Sequence, residues 1–275
     1  MSVTDLAPEA VGEIKAGPRI DRGTAIVTGG RRGIGAAVAM GLAEAGFAVA
    51  ILDIVDDEAA ATTLRAIRGR GGRGLFLRAD IADIDGHAGL IERIIAEFGP
   101  LTCLVNNAGI QVPVRGDLLD TEPEVFDRLV GVNLRGTFFL TQAVARAMIA
   151  APGPVGAYRS ITVISSANAG MTSIEKGPYC LSKSALPMLT SLFATRLAEH
   201  SIDVFEVQPG LIRTEMTSVV RTAYGQQIAA GISPYRRWGE AEEVGAVIRT
   251  LASGQLPFST GTMVPVGGGL NIHRL

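Results

Sequence analysis

The pattern that most constrains this chain is a regular alternation of short apolar runs with segments of helical length. Short, mostly apolar runs of residues typical of strands occur at 25–28, 48–52, 75–77, 101–105, 161–164, 204–207 and 263–266. Strands that are apolar along their whole length and separated by helices indicate a parallel sheet buried on both faces. The sequence therefore predicts an α/β fold, a doubly wound parallel sheet of about seven strands with helices on both faces.

The helices are predicted at 33–45, 57–68, 83–98, 122–150, 178–200 and 240–252, with a short helical insertion at 215–231. Pro187 falls inside one of them, and because proline lacks a backbone donor we expect a kink there. The Pro/Gly-rich stretch at 151–156 is too short for an interdomain linker. We therefore expect a flexible N-terminal leader at 1–22 and a single domain at 23–275.

The composition and charge of the chain limit the classes of protein to which it can belong. The 275 residues are 47% hydrophobic, which suffices for a large core, and the formal charge is −2 without a long basic run. This charge argues against a nucleic-acid partner. Because no apolar stretch is long enough to span a bilayer and residues 1–22 lack the apolar core of a signal peptide, we expect a soluble, cytoplasmic protein without a membrane partner.

The potential metal ligands are few and scattered. Cys103 and Cys180 are too few for a disulfide framework or a cysteine-based zinc cluster, so both are expected to be free thiols. His87, His200 and His273 lack metal-ligand spacing and are expected on solvated helix ends or in the tail. The sequence therefore predicts no metal site.

A glycine-rich turn, TGGRRGIG at 28–35, follows the first strand and opens the first helix. Glycines permit positive φ and a close backbone approach, and a helix N-terminus attracts phosphate. No Gly-Lys-Ser/Thr follows the turn, which excludes a P-loop nucleotide triphosphatase. By itself such a turn is also consistent with a tight strand-to-helix connection.

Asp53 ends the second strand about 18 residues after Gly35, near the spacing at which an acid binds the adenosine ribose of a dinucleotide. A carboxylate there accepts hydrogen bonds from hydroxyls and repels a 2′-phosphate, which favours NAD(H). Arg32 is a cation able to reach such a phosphate, so NADP(H) stays open. Asp53 also has a structural interpretation, as the N-cap of the following helix.

Tyr179 and Lys183 lie four residues apart, so one helical turn places phenol and ammonium on the same face. A cation beside a phenol favours the phenolate and lowers the phenol's pKa toward the working range of an acid–base catalyst. The Y-x-x-x-K pattern alone is weak, because both residue types are common on helix surfaces.

Taken in order, the chain resembles the short-chain dehydrogenase/reductase family over about 23–269. The matching motifs are the glycine turn, Asn106-Asn107-Ala108-Gly109, Asn133, Ser165-Ser166, the Tyr179/Lys183 pair and Gln208-Pro209-Gly210. The chain is similar to bacterial 3-oxoacyl-acyl carrier protein reductases and to NAD-linked secondary-alcohol dehydrogenases. The resemblance implies an NAD(P)-dependent oxidoreductase that interconverts a secondary alcohol and a ketone by hydride transfer.

The resemblance also implies roles for individual residues. Tyr179 would exchange a proton with the substrate oxygen, and Lys183 would bind the nicotinamide ribose and lower the pKa of Tyr179. Ser166, rather than Ser165, would bind the substrate oxygen, and Asn133 would fix a helix distortion. The implied cofactor-binding residues are Gly29, Arg31, Arg32, Gly33, Ile34, Gly35, Asp53, Asp80, Ile81, Asn107, Ala108, Gly109, Tyr179, Lys183, Pro209, Gly210, Ile212 and Thr214.

Two alternatives stay open, a 3-oxoacyl-acyl carrier protein reductase that uses NADPH and a non-catalytic dinucleotide sensor. The first calls for a basic docking patch, for which the candidates are Arg135, Arg146 and Arg159. The expected partner is a small alcohol or ketone, selected by the loops at 111–117, 167–176 and 212–238. The family's habit of pairing long helices implies a homotetramer or homodimer.

Overall fold

The computed structural model describes residues 21–154 and 156–273. Within these residues seven parallel strands form one sheet in the order β3-β2-β1-β4-β5-β6-β7. The strands are β1 (Thr24–Thr28), β2 (Ala48–Asp53), β3 (Arg73–Arg78), β4 (Leu101–Asn106), β5 (Arg159–Ile164), β6 (Ile202–Pro209) and β7 (Met263–Val266). Each predicted apolar run is a strand, and six of these strands extend beyond their run by one to four residues.

The described residues also form nine α-helices. They are α1 (Gly33–Glu44), α2 (Glu58–Gly69), α3 (His87–Phe98), α4 (Pro123–Val130), α5 (Thr137–Ala150), α6 (Gly177–Ser184), α7 (Leu186–Leu197), α8 (Arg221–Ala229) and α9 (Ala241–Ala252). Helices cover both faces of the sheet: α1 and α9 pack on one apolar layer, and α3, α5 and α7 pack on the other. The predicted doubly wound architecture is confirmed.

Two predicted helices are interrupted. The segment predicted as one helix at 122–150 consists of α4, a π-helix at Gly131–Gly136 and α5. The one predicted at 178–200 consists of α6, α7 and a terminal 3₁₀ turn. Ala185 separates α6 from α7, two residues before Pro187, and this confirms the break expected from the missing proline amide.

The expectation for His87 was wrong. Its side chain is only 2% exposed, and its Nε2 lies 2.9 Å from the carbonyl oxygen of Ile81. His87 begins α3, but this helix end packs beneath the residues that follow β3 and is not solvated. The sequence spacing located the helix without indicating which of its ends is covered.

Most of the predicted leader, residues 1–20, lies outside the described residues. Arg22 is described, and its backbone amide donates to Gly46 O at 3.4 Å while its Nε donates to Ala45 O at 2.9 Å. The domain limits stay a prediction. No α-helix in the described ranges combines the length and hydropathy that crossing a bilayer requires.

The sheet order determines where a cleft can form. β1 lies between β2 and β4, so the chain leaves β1 toward one edge of the sheet and later returns to the other side of β1. At such a reversal the connections diverge above the carboxyl ends of the strands and leave a crevice. The residues at or just after these ends are Gly29, Asp53, Asn107, Ser165 and Pro209.

Helices α1 and α9 approach each other through two glycines. A Cβ added at Gly245 on α9 would lie 3.1 Å from both the carbonyl carbon and the oxygen of Ala37 on α1. A Cβ added at Gly41 on α1 would meet the Gly245 oxygen at 3.7 Å, an ordinary contact. The helix spacing therefore depends on the first glycine and tolerates a methyl group at the second.

We expect Gly245→Ala to lower the free energy of unfolding by about 1 kcal/mol, because overpacking against a backbone outweighs the better helix propensity of alanine. The matched control, Gly41→Ala, is expected to be neutral or slightly stabilising. Urea unfolding followed by circular dichroism measures both changes. Equal effects of the two substitutions would show that the helices move apart freely.

Candidate active site

A cleft of about 840 Å³ opens above the carboxyl ends of the strands. Every residue predicted to bind the cofactor lines it, from the glycine turn to Thr214, and Ser166 lines it as well. Asn133 does not; it lies behind the cleft in the π-helix. The volume and shape accommodate an elongated ligand of dinucleotide size.

The glycines of the turn at 28–35 allow other groups to approach its backbone closely. Gly29 and Gly33 have φ of +62° and +56°, a region that side chains other than glycine rarely adopt. A Cβ at Gly35 would collide with the carbonyl oxygen of Gly29, so the first turn of α1 packs directly on the loop. Substitution at these positions would fill the space beside the cleft or distort the turn.

The N-terminus of α1 faces the same cleft. Arg32 occupies the N-cap position, and its side chain makes no capping hydrogen bond. Gly33, Ile34 and Gly35 therefore present backbone amides without a side-chain acceptor from the N-cap, at the positive end of the helix dipole. This arrangement fits the pyrophosphate of a dinucleotide.

Arg31, and not Arg32, is the cation beside Asp53. Arg31 Nε lies 3.3 Å from Asp53 Oδ1, its guanidinium also pairs with Asp57, and the Arg31 and Asp53 side chains are both 12% exposed. Arg32 pairs instead with Glu215 across the cleft. The interpretation of Asp53 as a helix cap is wrong, because the N-cap of α2 is Asp57.

Tyr179, Lys183 and Ser166 meet at the other end of the cleft. Tyr179 on α6 is 8% exposed and Lys183 is 4% exposed. Lys183 Nζ donates to Ile164 O at 3.0 Å and lies 5.9 Å from the centre of the Tyr179 ring. Ser166 follows β5, and its Oγ accepts from Asn168 N at 3.1 Å. Parallel strand ends and one helical turn thus bring together the three groups that the sequence singled out.

The pKa values at this end differ from expectation. Burial raises the pKa of Tyr179; hydrogen bonding with Ser166 opposes the rise, and the nearby Cys180 adds to it. The expected lowering by Lys183 does not dominate, because desolvation of the phenolate is the larger effect. Burial also lowers the pKa of Lys183 to about 8, and the nearby Glu206 carboxylate partly counters this shift.

Asn133 ties three segments together. Its Oδ1 accepts from Ile110 N at 2.8 Å, and its Nδ2 donates to Ile110 O at 2.9 Å and to Ser182 Oγ at 3.0 Å. The π-helix places this amide between the loop after β4 and α6. A Cβ at Gly109 would lie 3.3 Å from both Asn133 Oδ1 and Lys183 Nζ, a tight contact that glycine avoids.

Sequence reasoning missed one charged residue, Glu206, and the burial of a second, Lys176. Glu206 on β6 is 2% exposed and accepts hydrogen bonds from Ser165 Oγ and, at 2.8 Å, from Gln208 Nε2. Lys176, just before α6, is 6% exposed and lines the cleft. The signal for Glu206 was an acid inside an otherwise apolar strand. Lys176 lies in the predicted substrate-selecting loop at 167–176, where the sequence indicated a charged rim and not a buried cation.

The loops predicted to select the substrate border the same end of the cleft. Their lining side chains include Gln111, Arg115, Met171, Met216 and Tyr224. Arg221 and Tyr235, which belong to the predicted loop at 212–238, do not line it. Cys103 and Cys180 are free thiols, and no cluster of three potential metal ligands occurs among residues 21–154 and 156–273.

A family model described as enoyl-(acyl carrier protein) reductase matches residues 29–271. The chain belongs to the short-chain dehydrogenase/reductase family. The 2-dehydro-3-deoxy-D-gluconate 5-dehydrogenase of Dickeya dadantii (strain 3937) is 35% identical over 247 residues, covering 89% of this chain and 94% of its own length. The family resemblance and the oxidoreductase class predicted from the sequence are confirmed.

Two solved structures of short-chain dehydrogenase/reductase proteins differ in their cofactors. A 3-oxoacyl-[acyl-carrier protein] reductase from Brucella melitensis in complex with NAD is 46% identical, with a TM-score of 0.89 over 93% of this chain and 100% of that one. A gluconate 5-dehydrogenase from Burkholderia cenocepacia J2315 in complex with NADP and tartrate is 35% identical, with a TM-score of 0.82 over 92% of this chain and 96% of that one. The pair leaves the choice between NAD and NADP open.

The lowered pKa of Lys183 predicts a specific pH dependence of stability. The pKa changes from its ordinary 10.5 to about 8 on folding, so between these values the unfolded chain binds more protons and the free energy of unfolding rises with pH. Relative to Lys183→Met, we expect the wild type to gain on the order of 3 kcal/mol across this interval. Urea titrations at several pH values measure the difference, and parallel curves for the two proteins would contradict it.

Proposed function

We propose that this short-chain dehydrogenase/reductase interconverts a secondary alcohol and a ketone, with Tyr179 as the acid and base and NAD(H) as the preferred cofactor. The observation that carries the proposal is the convergence of the Tyr179 phenol, the Lys183 amine and the Ser166 hydroxyl at one end of a cleft whose other end holds Asp53. The sensor alternative is disfavoured, because both the tyrosine and the lysine are present and lie at the cleft.

The residues along the cleft fit a dinucleotide in one direction. Asp53 would bind the adenosine ribose, with Asp80 and Ile81 near the adenine, and the amides of Gly33 to Gly35 would bind the pyrophosphate. Lys183 would bind the nicotinamide ribose, beside the segment at 209–214. The bound cofactor supplies or accepts the hydride.

Proton transfer falls to Tyr179. Because burial raises its pKa, the phenol is protonated at neutral pH and is ready to donate as a carbonyl oxygen becomes an alcohol. Ser166 would donate a hydrogen bond to the same oxygen and stabilise its developing negative charge. In the oxidation direction the same groups act in reverse, and the ammonium of Lys183 would support the phenolate form of Tyr179.

The charges at the ribose end support NAD(H). Arg31 is shared by Asp53 and Asp57, so one guanidinium faces two carboxylates and the local excess is negative. A 2′-phosphate placed there would meet Asp53 and would have to draw Arg31 away from both of its partners. A ribose 2′-hydroxyl can donate to Asp53 without such a cost.

The 3-oxoacyl-acyl carrier protein reductase alternative is a second candidate, supported by the name of the Brucella melitensis structure. Its expected basic patch loses one member, because Arg159 donates to Met148 O and His200 O and is only partly exposed. Arg146 is exposed, and Arg135 lies over the ring of Phe139. Turnover of 3-oxoacyl thioesters beside secondary alcohols and sugars distinguishes the two candidates.

We also propose that the chain assembles as a homotetramer or homodimer through the helices at 123–150 and 177–197. Apolar side chains stand exposed along this surface, with Leu181, Met188 and Leu192 each more than half exposed. Covering such a row is a common reason for subunit pairing. Light scattering of the purified chain tests the assembly. The cytoplasmic location stays a prediction.

Tyr179→Phe removes the phenol hydroxyl that would exchange the proton and retains the aromatic ring. We expect turnover to fall by a factor of about 10² to 10⁴, with dinucleotide affinity unchanged within about twofold. The matched control is Tyr158→Phe, since Tyr158 lies outside the cleft and bonds Asp203. Steady-state kinetics and fluorescence titration with NADH give the two quantities, and near-normal turnover in Tyr179→Phe would refute the role.

Asp53→Ser removes the carboxylate that disfavours a 2′-phosphate. We expect the ratio of kcat/KM for NADP to that for NAD to rise about tenfold or more, equivalent to about 1.4 kcal/mol. Asp56→Ser is the control, because Asp56 is exposed and lies outside the cleft. An unchanged ratio in Asp53→Ser would argue against ribose recognition by Asp53.

A further inference from the structure

We propose that the substrate carries a carboxylate that binds Lys176, so that the enzyme acts on oxo or hydroxy carboxylates in which the anionic group lies a few bonds from the reacting carbon. This inference rests on the proposed function and specifies its substrate class. It starts from a side chain that neither proton transfer nor cofactor binding uses.

Lys176 is a buried cation on the wall of the cleft. It is 6% exposed, and its Nζ donates to Asn168 Oδ1 at 2.7 Å. Asn168 is itself held, because its Nδ2 donates to Met171 O at 2.9 Å and its backbone amide donates to Ser166 Oγ. The loop after β5 therefore fixes the position of the Lys176 ammonium near Ser166, the residue proposed to bind the substrate oxygen.

The described residues provide Lys176 with no carboxylate partner. A neutral amide oxygen satisfies one of three ammonium donors, and the face of the Tyr179 ring lies 5.6 Å away. Burying a charge is costly unless it is paired and hydrogen-bonded. A carboxylate from the substrate would supply the missing negative charge and accept the remaining donors.

The surrounding charges reinforce the attraction of an anion. Arg115 and Arg128 also line the cleft, and Glu175 is the acid that directly precedes Lys176 in the chain. Glu175 is 60% exposed and lies 3.7 Å from Arg115, so it offsets that guanidinium and not Lys176. The loops on the two sides are joined by Gly116 N donating to Glu175 O at 3.2 Å. The cleft-lining residues of these two loops therefore carry two cations, Arg115 and Lys176, and one acid, Glu175.

The position of Lys176 limits the length of the substrate. Its Nζ and that of Lys183 lie at similar distances from the Tyr179 ring, 5.6 and 5.9 Å. Both amines therefore lie next to the Tyr179 side chain, and a carboxylate that binds Lys176 would lie beside this residue. A neutral acyl chain in this place would leave the ammonium desolvated and without an anion.

The substrate carboxylate serves only for binding and does not react. On reduction the carbonyl carbon gains the hydride that the bound cofactor supplies, and the carbonyl oxygen gains the proton of Tyr179. The C–C bonds and the carboxylate are unchanged. Oxidation of the corresponding hydroxy carboxylate reverses both transfers.

The test compares charged and neutral forms of the same substrates. The probes are 2-oxo and 3-oxo carboxylates of four to six carbons, each paired with its methyl ester, and kcat and KM are measured with NADH. We expect Lys176→Met to lower kcat/KM for the carboxylates about tenfold to a hundredfold, mostly through KM, and to change the esters by less than about threefold. Lys176→Arg should restore part of the loss.

A binding measurement accompanies the kinetics. In the presence of NAD, butanoate should raise the Tm of the wild type but not that of Lys176→Met, and butanamide should do neither. Arg93→Met is the control, since Arg93 is exposed and lies outside the cleft. It should respond to butanoate as the wild type does.

The outcomes separate the two hypotheses. Equal losses for carboxylates and esters would assign Lys176 to the support of Tyr179 or of the loop, and would overturn the substrate assignment. Turnover of neutral ketones, with no preference for carboxylates and no shift with butanoate, would also overturn it and would leave the proposed function intact. Failure of the wild type to turn over any alcohol or ketone would refute the proposed function itself.

Discussion

The junction between the ends of β1 and β4 is the contact on which the cleft depends. Thr28 Oγ1 accepts hydrogen bonds from the backbone amides of Asn107 and Ala108, both at 2.9 Å. Asn107 Nδ2 returns hydrogen bonds to Thr28 O at 2.8 Å and Gly29 O at 3.0 Å. These four bonds hold the glycine turn against the loop after β4 at the point where the chain reverses direction. Because these bonds hold the glycine turn in place, the backbone amides at the N-terminus of α1 keep their orientation toward the cleft.

The same loop transmits this rigidity to the proposed catalytic end. Two residues after Ala108 the chain reaches Ile110, whose amide and carbonyl are both bound by Asn133. Asn133 also binds Ser182, between Tyr179 and Lys183 on α6. The proposed dinucleotide end and the proposed proton-transfer end are therefore connected through one continuous set of hydrogen bonds. The π-helix is what brings the Asn133 amide within reach of both partners.

The sequence predicted the fold well, because continuous apolar strands that alternate with glycine-bounded helices can pack in few arrangements of sheet and helix layers. It also predicted which residues meet, since strand ends of a parallel sheet share an edge and residues four apart share a helix face. It did not predict which of two adjacent arginines lies beside Asp53, because that depends on the dihedral angles of the turn. The burial of His87 depends on tertiary packing that no local pattern encodes, whereas the position of Glu206 inside an apolar strand was a signal in the sequence. The direction of the Tyr179 pKa was wrong because desolvation outweighed the neighbouring charge.

The cleft is electrostatically asymmetric along its length, and this asymmetry gives a ligand its direction. At one end the two negative charges of Asp53 and Asp57 outnumber the single positive charge of Arg31. In the middle, the backbone amides at the N-terminus of α1 attract an anion. At the other end Lys176 and Lys183 are buried cations near the Tyr179 ring. A substrate carboxylate is repelled from the ribose end and attracted to the catalytic end, so its carbonyl carbon is oriented before any proton moves. Since buried charges interact more strongly than solvated ones, the protein gains this orientation only by keeping both lysines out of water.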